Sequence, residues 1–336
     1  MIKALRRSKK QRFDIVTIGS SLRDTSFFSN ELQVIDNPIN DATCKRLMAV
    51  EHGAKIHSDH VQVGFGGGAG NTAMNFAILD FNVGIMSSIG ADVDGQAIID
   101  HYRTQGIDTR FIEEVAGVRT GFSFITVHPN SHDRTMYVYY GAARKLQAPK
   151  TIFENFETEW FYISSLNHST WKKTIEHAIE TGASVAWNPG SMQLQGSTTA
   201  LKQLMKQVQV LILNSDEAAE LLVKCGYENR EYSLEELVNA VYAFGSGIVL
   251  ITDGANGSIV RRDDEVIFQP ATDKLPLDTS GAGDCFGSSF VTGVIRYDGN
   301  LAKSLELGQY IADRLIAKPG AQNGFVPWEK LPKKFR

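Results

Sequence analysis

From residue 150 onward, short apolar runs alternate with amphipathic stretches, and this rhythm restricts the fold of the 336-residue chain more tightly than any other feature. Residues 160–164, 184–187, 208–213 and 248–252 have the β-branched and aromatic density of buried strands. Residues 170–180, 216–224 and 234–244, lying between them, repeat apolar positions at helical spacing. Strand, helix and strand in series imply crossover connections. A parallel sheet covered by helices on both faces is therefore expected, a doubly wound α/β fold. Residues 13–19, a β-branched run ending in glycine, read as a further buried strand. A hydrophobic content of 43% is ample for one large core.

Residues 122–127 and 135–140 are also strand-like, with turn residues Pro129, Asn130 and Ser131 between them. Val61, Val63 and Phe65 alternate with Gln62 and Gly64 as a half-buried strand does. Together these predict a small separate sheet. The stretch 25–59 has little periodicity, and no internal repeat, low-complexity segment or Pro/Gly/Ser-rich linker divides the chain.

The net charge of −4, with both signs scattered, creates no field that would recruit nucleic acid or an anionic membrane surface. Lys3, Arg6, Arg7, Lys9, Lys10 and Arg12 make a basic start. No apolar h-region follows it, no apolar run approaches about 18 residues, and no aromatic residues interleave it, so it reads as a solvated tail. Cys44, Cys225 and Cys285 are widely spaced with no Cys-x-x-Cys pair. That suggests neither a disulfide framework nor a zinc site and fits a reducing, cytoplasmic compartment.

Chemistry concentrates at Asp278-Thr279-Ser280-Gly281-Ala282-Gly283-Asp284. An apolar run leads in, and Phe286, Phe290, Val291, Val294 and Ile295 follow at helical spacing, which puts Asp284 in the first turn of a helix. Glycine lets a bulky anion approach the main chain, while a helix N-terminus adds unpaired N–H groups and partial positive charge. Gly281, Ala282 and Gly283 are thus a candidate phosphate cradle. Asp284, ionised at neutral pH by its reference pKa of about 3.9, is a candidate base. The competing reading is a glycine turn with Asp284 as an ordinary cap.

Asp24 lies beyond the carboxyl end of the first strand, where ligands bind in open parallel sheets, and its carboxylate can accept from two neighbouring hydroxyls. Gly66-Gly67-Gly68-Ala69-Gly70-Asn71 precedes a helical stretch at 72–80 and would bring backbone amides and the Asn71 side chain close to a small polar ligand. Counted from Gly64, the same stretch satisfies the dinucleotide fingerprint G-x-G-x-x-A. No acidic residue closes a second strand at the required distance, with Asp92 and Asp94 falling in a turn, so a dehydrogenase is not favoured. Asn214-Ser215-Asp216-Glu217 follows a predicted strand; Asn214 and Glu217 either face magnesium and its waters or cap a helix. Thr252-Asp253-Gly254-Ala255-Asn256-Gly257 is either a bend against which a nucleotide lies or a plain hairpin.

Taken together these motifs resemble the ribokinase family, also called the PfkB carbohydrate kinases, over residues 13–328. Asp278 to Asp284 matches the family's D-T-x-G-A-G-D, and Gly66 to Asn71 its first signature, with Gly84 and Gly95 following. Asn214 and Glu217 match N-x-x-E, while Thr252, Gly254 and Gly257 match T-x-G-x-x-G. The resemblance implies ATP-dependent transfer of the γ-phosphoryl group to a hydroxymethyl group. It makes Asp284 the base, Gly281 to Gly283 the anion hole, and Asn214 with Glu217 the organisers of magnesium and phosphate. It assigns Asp24, Gly67 and Asn71 to the acceptor, and Thr252, Gly254 and Gly257, with Asn214, to the nucleotide. Asp278, with backbone carbonyls around Lys318 to Ala321, is implied to hold a potassium ion. One ribokinase-like domain over residues 13–330 is expected behind a basic tail of residues 1–12. A small β-sheet lid would come from residues 24–66 and 118–141, and a homodimer would form through it.

Ribokinases proper show a lysine in the glycine loop where this chain has Gly68 or Ala69, and an asparagine two positions before the sugar-binding aspartate where it has Leu22. Strict ribose specificity is therefore not expected. The acceptor read from the chain is a pentose- or hexose-like sugar. A nucleoside is the alternative, because the chain also looks like archaeal-type nucleoside kinases and Phe124, Tyr137 and Tyr139 of the predicted lid either stack on a base or form the lid's own core. A non-catalytic sugar or nucleotide sensor is the alternative from another class, and it would need no base.

Overall fold

The structure is a computed structural model that describes residues 10–37, 46–58, 60–129, 134–166 and 168–336. Lys3, Arg6, Arg7, Lys9, Cys44, Asn130 and Ser131 lie outside these residues.

Alternate side chains of a strand reach opposite faces of its sheet, and strands covered on both faces are apolar throughout. Val210–Asn214 sends Leu211 and Leu213 into one core and Val210 and Ile212 into the other. Phe156–Ile163 divides Phe161 and Ile163 from Tyr162 in the same way. Among the described residues, nine strands join in the order Glu265–Gln269, Ser258–Arg262, Ile248–Thr252, Val210–Asn214, Ser184–Trp187, Phe156–Ile163, Gln11–Ile18, Val83–Gly90 and Asp108–Val115. The last seven are parallel, and the first two add an antiparallel edge. This is the expected mostly parallel, doubly wound arrangement, and it brings the carboxyl ends of Gln11–Ile18, Val210–Asn214 and Ile248–Thr252 to one edge. No helix among the described residues is long and apolar enough to cross a membrane.

Trp171–Glu180, Ser215–Lys224 and Leu234–Tyr242 are the helices that the apolar spacing predicts. The region 83–115 reads poorly in sequence. Val83–Gly90 is buried along its whole length, yet Gly84, Ser87, Ser88 and Gly90 dilute its apolar signal. Asp92 is not in a turn. It caps the helix Val93–Thr104, its carboxylate accepting from the Gly95 N–H at 2.9 Å and from the Thr120 N–H and hydroxyl, and Asp94 lies in the first turn of that helix.

The second sheet runs His60–Gly66, Leu22–Phe28, Phe122–Val127, Arg134–Tyr139. Asp24 is thus a strand residue of this small sheet and not part of the turn that leaves the central sheet. Gly64 and Gly66 belong to the same sheet, so the apparent dinucleotide fingerprint follows the wrong kind of strand. The helix after it begins at Gly68, which makes Gly68 to Asn71 its first turn.

Register separates the two faces of the small sheet. Asp24 pairs with Gly64 and Ser123, and Ser26 with Gln62 and Ile125, so these share one face. Asp24, Ser26, Gln62 and Ile125 line a crevice with Ser280, Gly320 and Ala321. Thr25 pairs with Val63 and Phe124, and Phe124 with Tyr137, on the opposite face. Val61 and Val63 of the strand at 60–66 therefore point outward, 50% and 53% exposed, while Phe65 near its end is half-buried against the core.

Candidate active site

Two helices start side by side at the edge where the central strands end. The buried amide of Asn75, on Gly68–Ile78, donates to the Ser288 and Ser289 hydroxyls of Ala282–Arg296 at 2.8 and 2.9 Å, which fixes one helix against the other. Gly281 caps the second helix at φ 69°, in the left-handed region that favours glycine. A Cβ there would also lie 3.0 Å from Ala321 and 3.2 Å from the Asn71 amide, while one on Gly283 would meet nothing within 4 Å. The Ala282 N–H is taken by the Thr279 carbonyl at 3.2 Å, while Gly283 faces an open approach at the positive end of the helix. No strand leads in, since residues 270–280 are irregular.

Asp284 stands in the first turn of that helix. The Asn71 amide donates to its Oδ2 at 2.8 Å, and Gln322 Nε2 donates to Asn71 Oδ1 at 3.1 Å. With that nitrogen turned to Asn71, the Gln322 oxygen faces His101 Nε2 at 2.9 Å, so Nε2 carries the proton. His101 stacks on Phe65 with centroids 4.0 Å apart, and burial holds its pKa down. A series of oriented donors thus ends on the carboxylate. Burial raises the Asp284 pKa to about 6, with the Asn71 hydrogen bond opposing it. The free-residue value of the sequence reading is therefore too low, and the group titrates close to neutral pH, where a general base works best.

The other candidates gather around it with some changes of role. Asn71 binds Asp284 and Gln322, where an acceptor contact was expected. The N–H groups of Gly68, Ala69 and Gly70 are taken by the Ser20 hydroxyl and carbonyl at 3.2, 3.1 and 3.3 Å, so the glycine stretch is a capped helix start whose amides are already used. Gly67, at φ 88°, makes the turn into it, and a Cβ there would lie 2.5 Å from the Ser20 oxygen. Asp24 has its pKa raised to about 6 by burial; the Ser123 hydroxyl opposes this, Asp278 adds to it, and Arg23 opposes it. Gly66 makes room for that carboxylate, because a Cβ would sit 2.0 Å from Asp24 Oδ2.

The capping reading of the Asn214 motif holds. Asn214 Oδ1 accepts from the Glu217 N–H at 2.7 Å and Glu217 Oε2 from the Asn214 N–H at 3.0 Å, a reciprocal cap. Glu217 also has its pKa raised to about 7, first by burial, which the Asn214 backbone hydrogen bond opposes, and then by Glu220, Asp284 and Asp216. Thr252 pairs with Asn214 across the parallel strands and with Ser258 across the hairpin. At the bend, a Cβ on Gly254 would meet nothing within 4 Å, whereas one on Gly257 would strike the Gln269 carbonyl at 2.4 Å. An open bend and a hairpin coexist there.

Asp278 accepts from Arg134 Nη1 at 2.7 Å, the Ser280 N–H at 2.8 Å and the Gly320 N–H at 2.8 Å. Gln322, His101, Ser123 and Arg134 were not singled out by the motifs, because each meets the site only through tertiary contact. Phe124, Tyr137 and Tyr139 lie on the face of the small sheet turned away from Asp24, which removes them as stacking partners for a ligand beside it.

A family model for pfkB family carbohydrate kinases matches residues 30–329. The chain is similar to a ribokinase of Staphylococcus aureus, 27% identical over 80% of this chain and 88% of that protein. It is similar to a nucleoside kinase of Methanothermobacter thermautotrophicus, 23% identical over 80% of this chain and 84% of that protein. In fold it resembles the nucleoside kinase of Burkholderia thailandensis solved in complex with inosine, with a TM-score of 0.74 and 18% identity over 93% of this chain and 94% of that one.

Proposed function

The chain belongs to the pfkB family of carbohydrate kinases, and on that premise we propose that it transfers the γ-phosphoryl group of ATP to a hydroxymethyl group of a small pentose- or hexose-like sugar. The observation that carries this reading is Asp284, a carboxylate of pKa about 6 at the open start of the helix Ala282–Arg296. In the proposed step the acceptor hydroxyl gives its proton to Asp284. Its oxygen bonds to the γ-phosphorus as the bond to the departing ADP oxygen breaks, and the N–H groups of Gly281 and Gly283 face the charge that develops, joined by that of Ala282 where it leaves the Thr279 carbonyl. Asp24 accepts from the acceptor's other hydroxyls. Asn214, Thr252, Gly254 and Gly257 border the nucleotide.

Glu217, raised to about 7 among neighbouring carboxylates, suits a magnesium ion reached through water. Among the described residues no three metal-ligating side chains converge, so phosphate and water would supply most of its ligands. Magnesium when bound neutralises phosphate charge. Cys225 and Cys285 are free thiols, which suits the cytoplasm.

Strict ribose specificity is not favoured: the lysine of ribokinases proper has no counterpart here, and a Cβ on Gly68 would lie 2.6 Å from the Ser164 hydroxyl. A nucleoside acceptor is the second reading. Met136 and Val138, 44% and 38% exposed, pair with Ile125 and Ser123 on the Asp24 face and offer a base an apolar wall. A coupled ADP-release screen of free sugars and nucleosides with MgATP separates the two, with sugar turnover expected. Turnover of inosine or adenosine alone would reverse the order, and ligand binding without ADP from any acceptor would mean a sensor.

The small sheet is read as a lid over the acceptor and as the contact between two copies of the chain. Its outer face exposes Val61, Val63, Phe122, Phe124, Tyr137 and Tyr139, an apolar surface that a second copy would cover. Sedimentation is expected to give a dimer that Val63→Glu converts to monomer; a monomeric parent protein would rule the contact out.

A further inference from the structure

The atoms around Asp278 do not suit the potassium ion that the family resemblance implies. A hard cation needs oxygen lone pairs turned toward it. Here both carboxylate oxygens already face donors: Oδ1 accepts from Arg134 and the Ser280 N–H, and Oδ2 from the Gly320 N–H. The carbonyl of Pro319, in the segment expected to supply further ligands, accepts from Gln62 Nε2 at 3.0 Å and Asn323 Nδ2 at 2.7 Å. A potassium ion beside Asp278 would confront N–H dipoles and a guanidinium.

We infer that Arg134 takes the place of a monovalent cation, its guanidinium supplying from the lid the fixed positive charge beside the anion hole. The inference rests on the phosphotransferase reading above. Nη1 of Arg134 bridges Asp278 Oδ1 at 2.7 Å and the Ser280 hydroxyl at 2.6 Å, immediately before Gly281. The two side chains are sheltered, 29% and 15% exposed. Guanidinium stays charged at any working pH and holds its donors in a fixed plane, so it orients the loop as well as neutralising Asp278. Asp278 is also close enough to Asp24 to raise the pKa of that carboxylate. An unneutralised Asp278 would disturb acceptor binding and the anion hole together. Arg134 starts the strand Arg134–Tyr139 of the small sheet, whereas Asp278 precedes the catalytic helix. The positioning residue thus comes from a different element than the loop it holds.

The test compares KCl with choline chloride at constant ionic strength, for the parent protein and for Arg134→Ala and Arg134→Gln, reading turnover and the thermal midpoint. Arg134→Gln keeps most of the side-chain volume in case the alanine variant fails to fold. Parent turnover is expected to differ by less than about twofold between the salts, with no potassium-specific midpoint shift. The variants are expected to lose about tenfold or more in choline and to regain several-fold in KCl, with KCl alone raising their midpoints. A parent protein that needs potassium, or whose midpoint it raises, would overturn the inference. Variants that lose turnover with no response to potassium in either readout would also overturn it, leaving Arg134 only as a strut between sheet and loop. The thermal readout needs no acceptor, so it decides even if the kinase reading fails.

Discussion

Asp284→Asn is expected to lower kcat by a hundredfold or more and to leave ATP binding nearly unchanged. The amide oxygen introduced can still accept from Asn71, so the start of the helix Ala282–Arg296 keeps its structure and only the proton acceptor is lost. Calorimetric titration with nucleotide and steady-state turnover measure the two halves of this expectation, and near-normal turnover would sink the assignment. The parent pH profile carries a matching signature. Asp284 must be ionised to accept a proton, so kcat/KM is full above its pKa of about 6 and falls as pH drops through that value. Asp24, also at about 6, is needed ionised to accept from the acceptor's hydroxyls. The acid limb should then steepen from tenfold toward about a hundredfold per pH unit as both carboxylates protonate. A flat profile down to pH 5 would remove both groups from the chemistry.

The central sheet was legible because burial on both faces demands nearly continuous apolar strands, as in Val210–Asn214 and Ile248–Thr252, with amphipathic helices between. Val83–Gly90 escaped because half of its buried positions are glycine or serine, which carry no hydrophobic signal. The helix start at Gly281 to Asp284 was legible for a different reason: a left-handed glycine followed at once by an amphipathic run is a signal local in sequence. What could not be read was everything assembled across long separations. Asn71 meets Asp284 across 213 residues, Gln322 meets Asn71 across 251, and Arg134 meets Asp278 across 144. Strand alternation was read correctly as a pattern at Val61, Val63 and Phe65, but sequence alone does not tell which face of a small sheet is covered. The stacking reading of Phe124, Tyr137 and Tyr139 needed the face turned to Asp24, and the register puts them on the other.

Asn71 is where this distinction has its largest measurable consequence. As an acceptor ligand, its replacement by alanine would raise the acceptor KM and leave kcat nearly unchanged, because uniform binding would be lost. The geometry argues otherwise. The Asn71 amide donates to the Asp284 carboxylate at 2.8 Å while its oxygen accepts from Gln322 at 3.1 Å, so both ends of the side chain hold the base in place. A hydrogen bond to a charged group is worth about 1.5–3 kcal/mol, which corresponds to roughly tenfold to a hundredfold in rate. Asn71→Ala is therefore expected to lower kcat by that factor with little change in acceptor KM. The bond also favours the ionised form and opposes burial. Without it the Asp284 pKa moves further up, and the acid limb of kcat/KM shifts to higher pH, so the variant's deficit grows as pH falls and shrinks toward alkaline pH. Gln322→Leu, which leaves the Asn71 amide in place but removes the donor that orients it, should reproduce the same shift to a smaller degree. An Asn71→Ala profile that keeps the parent's acid limb and loses only acceptor affinity would return this residue to the acceptor site and leave Asp284 oriented by its helix alone.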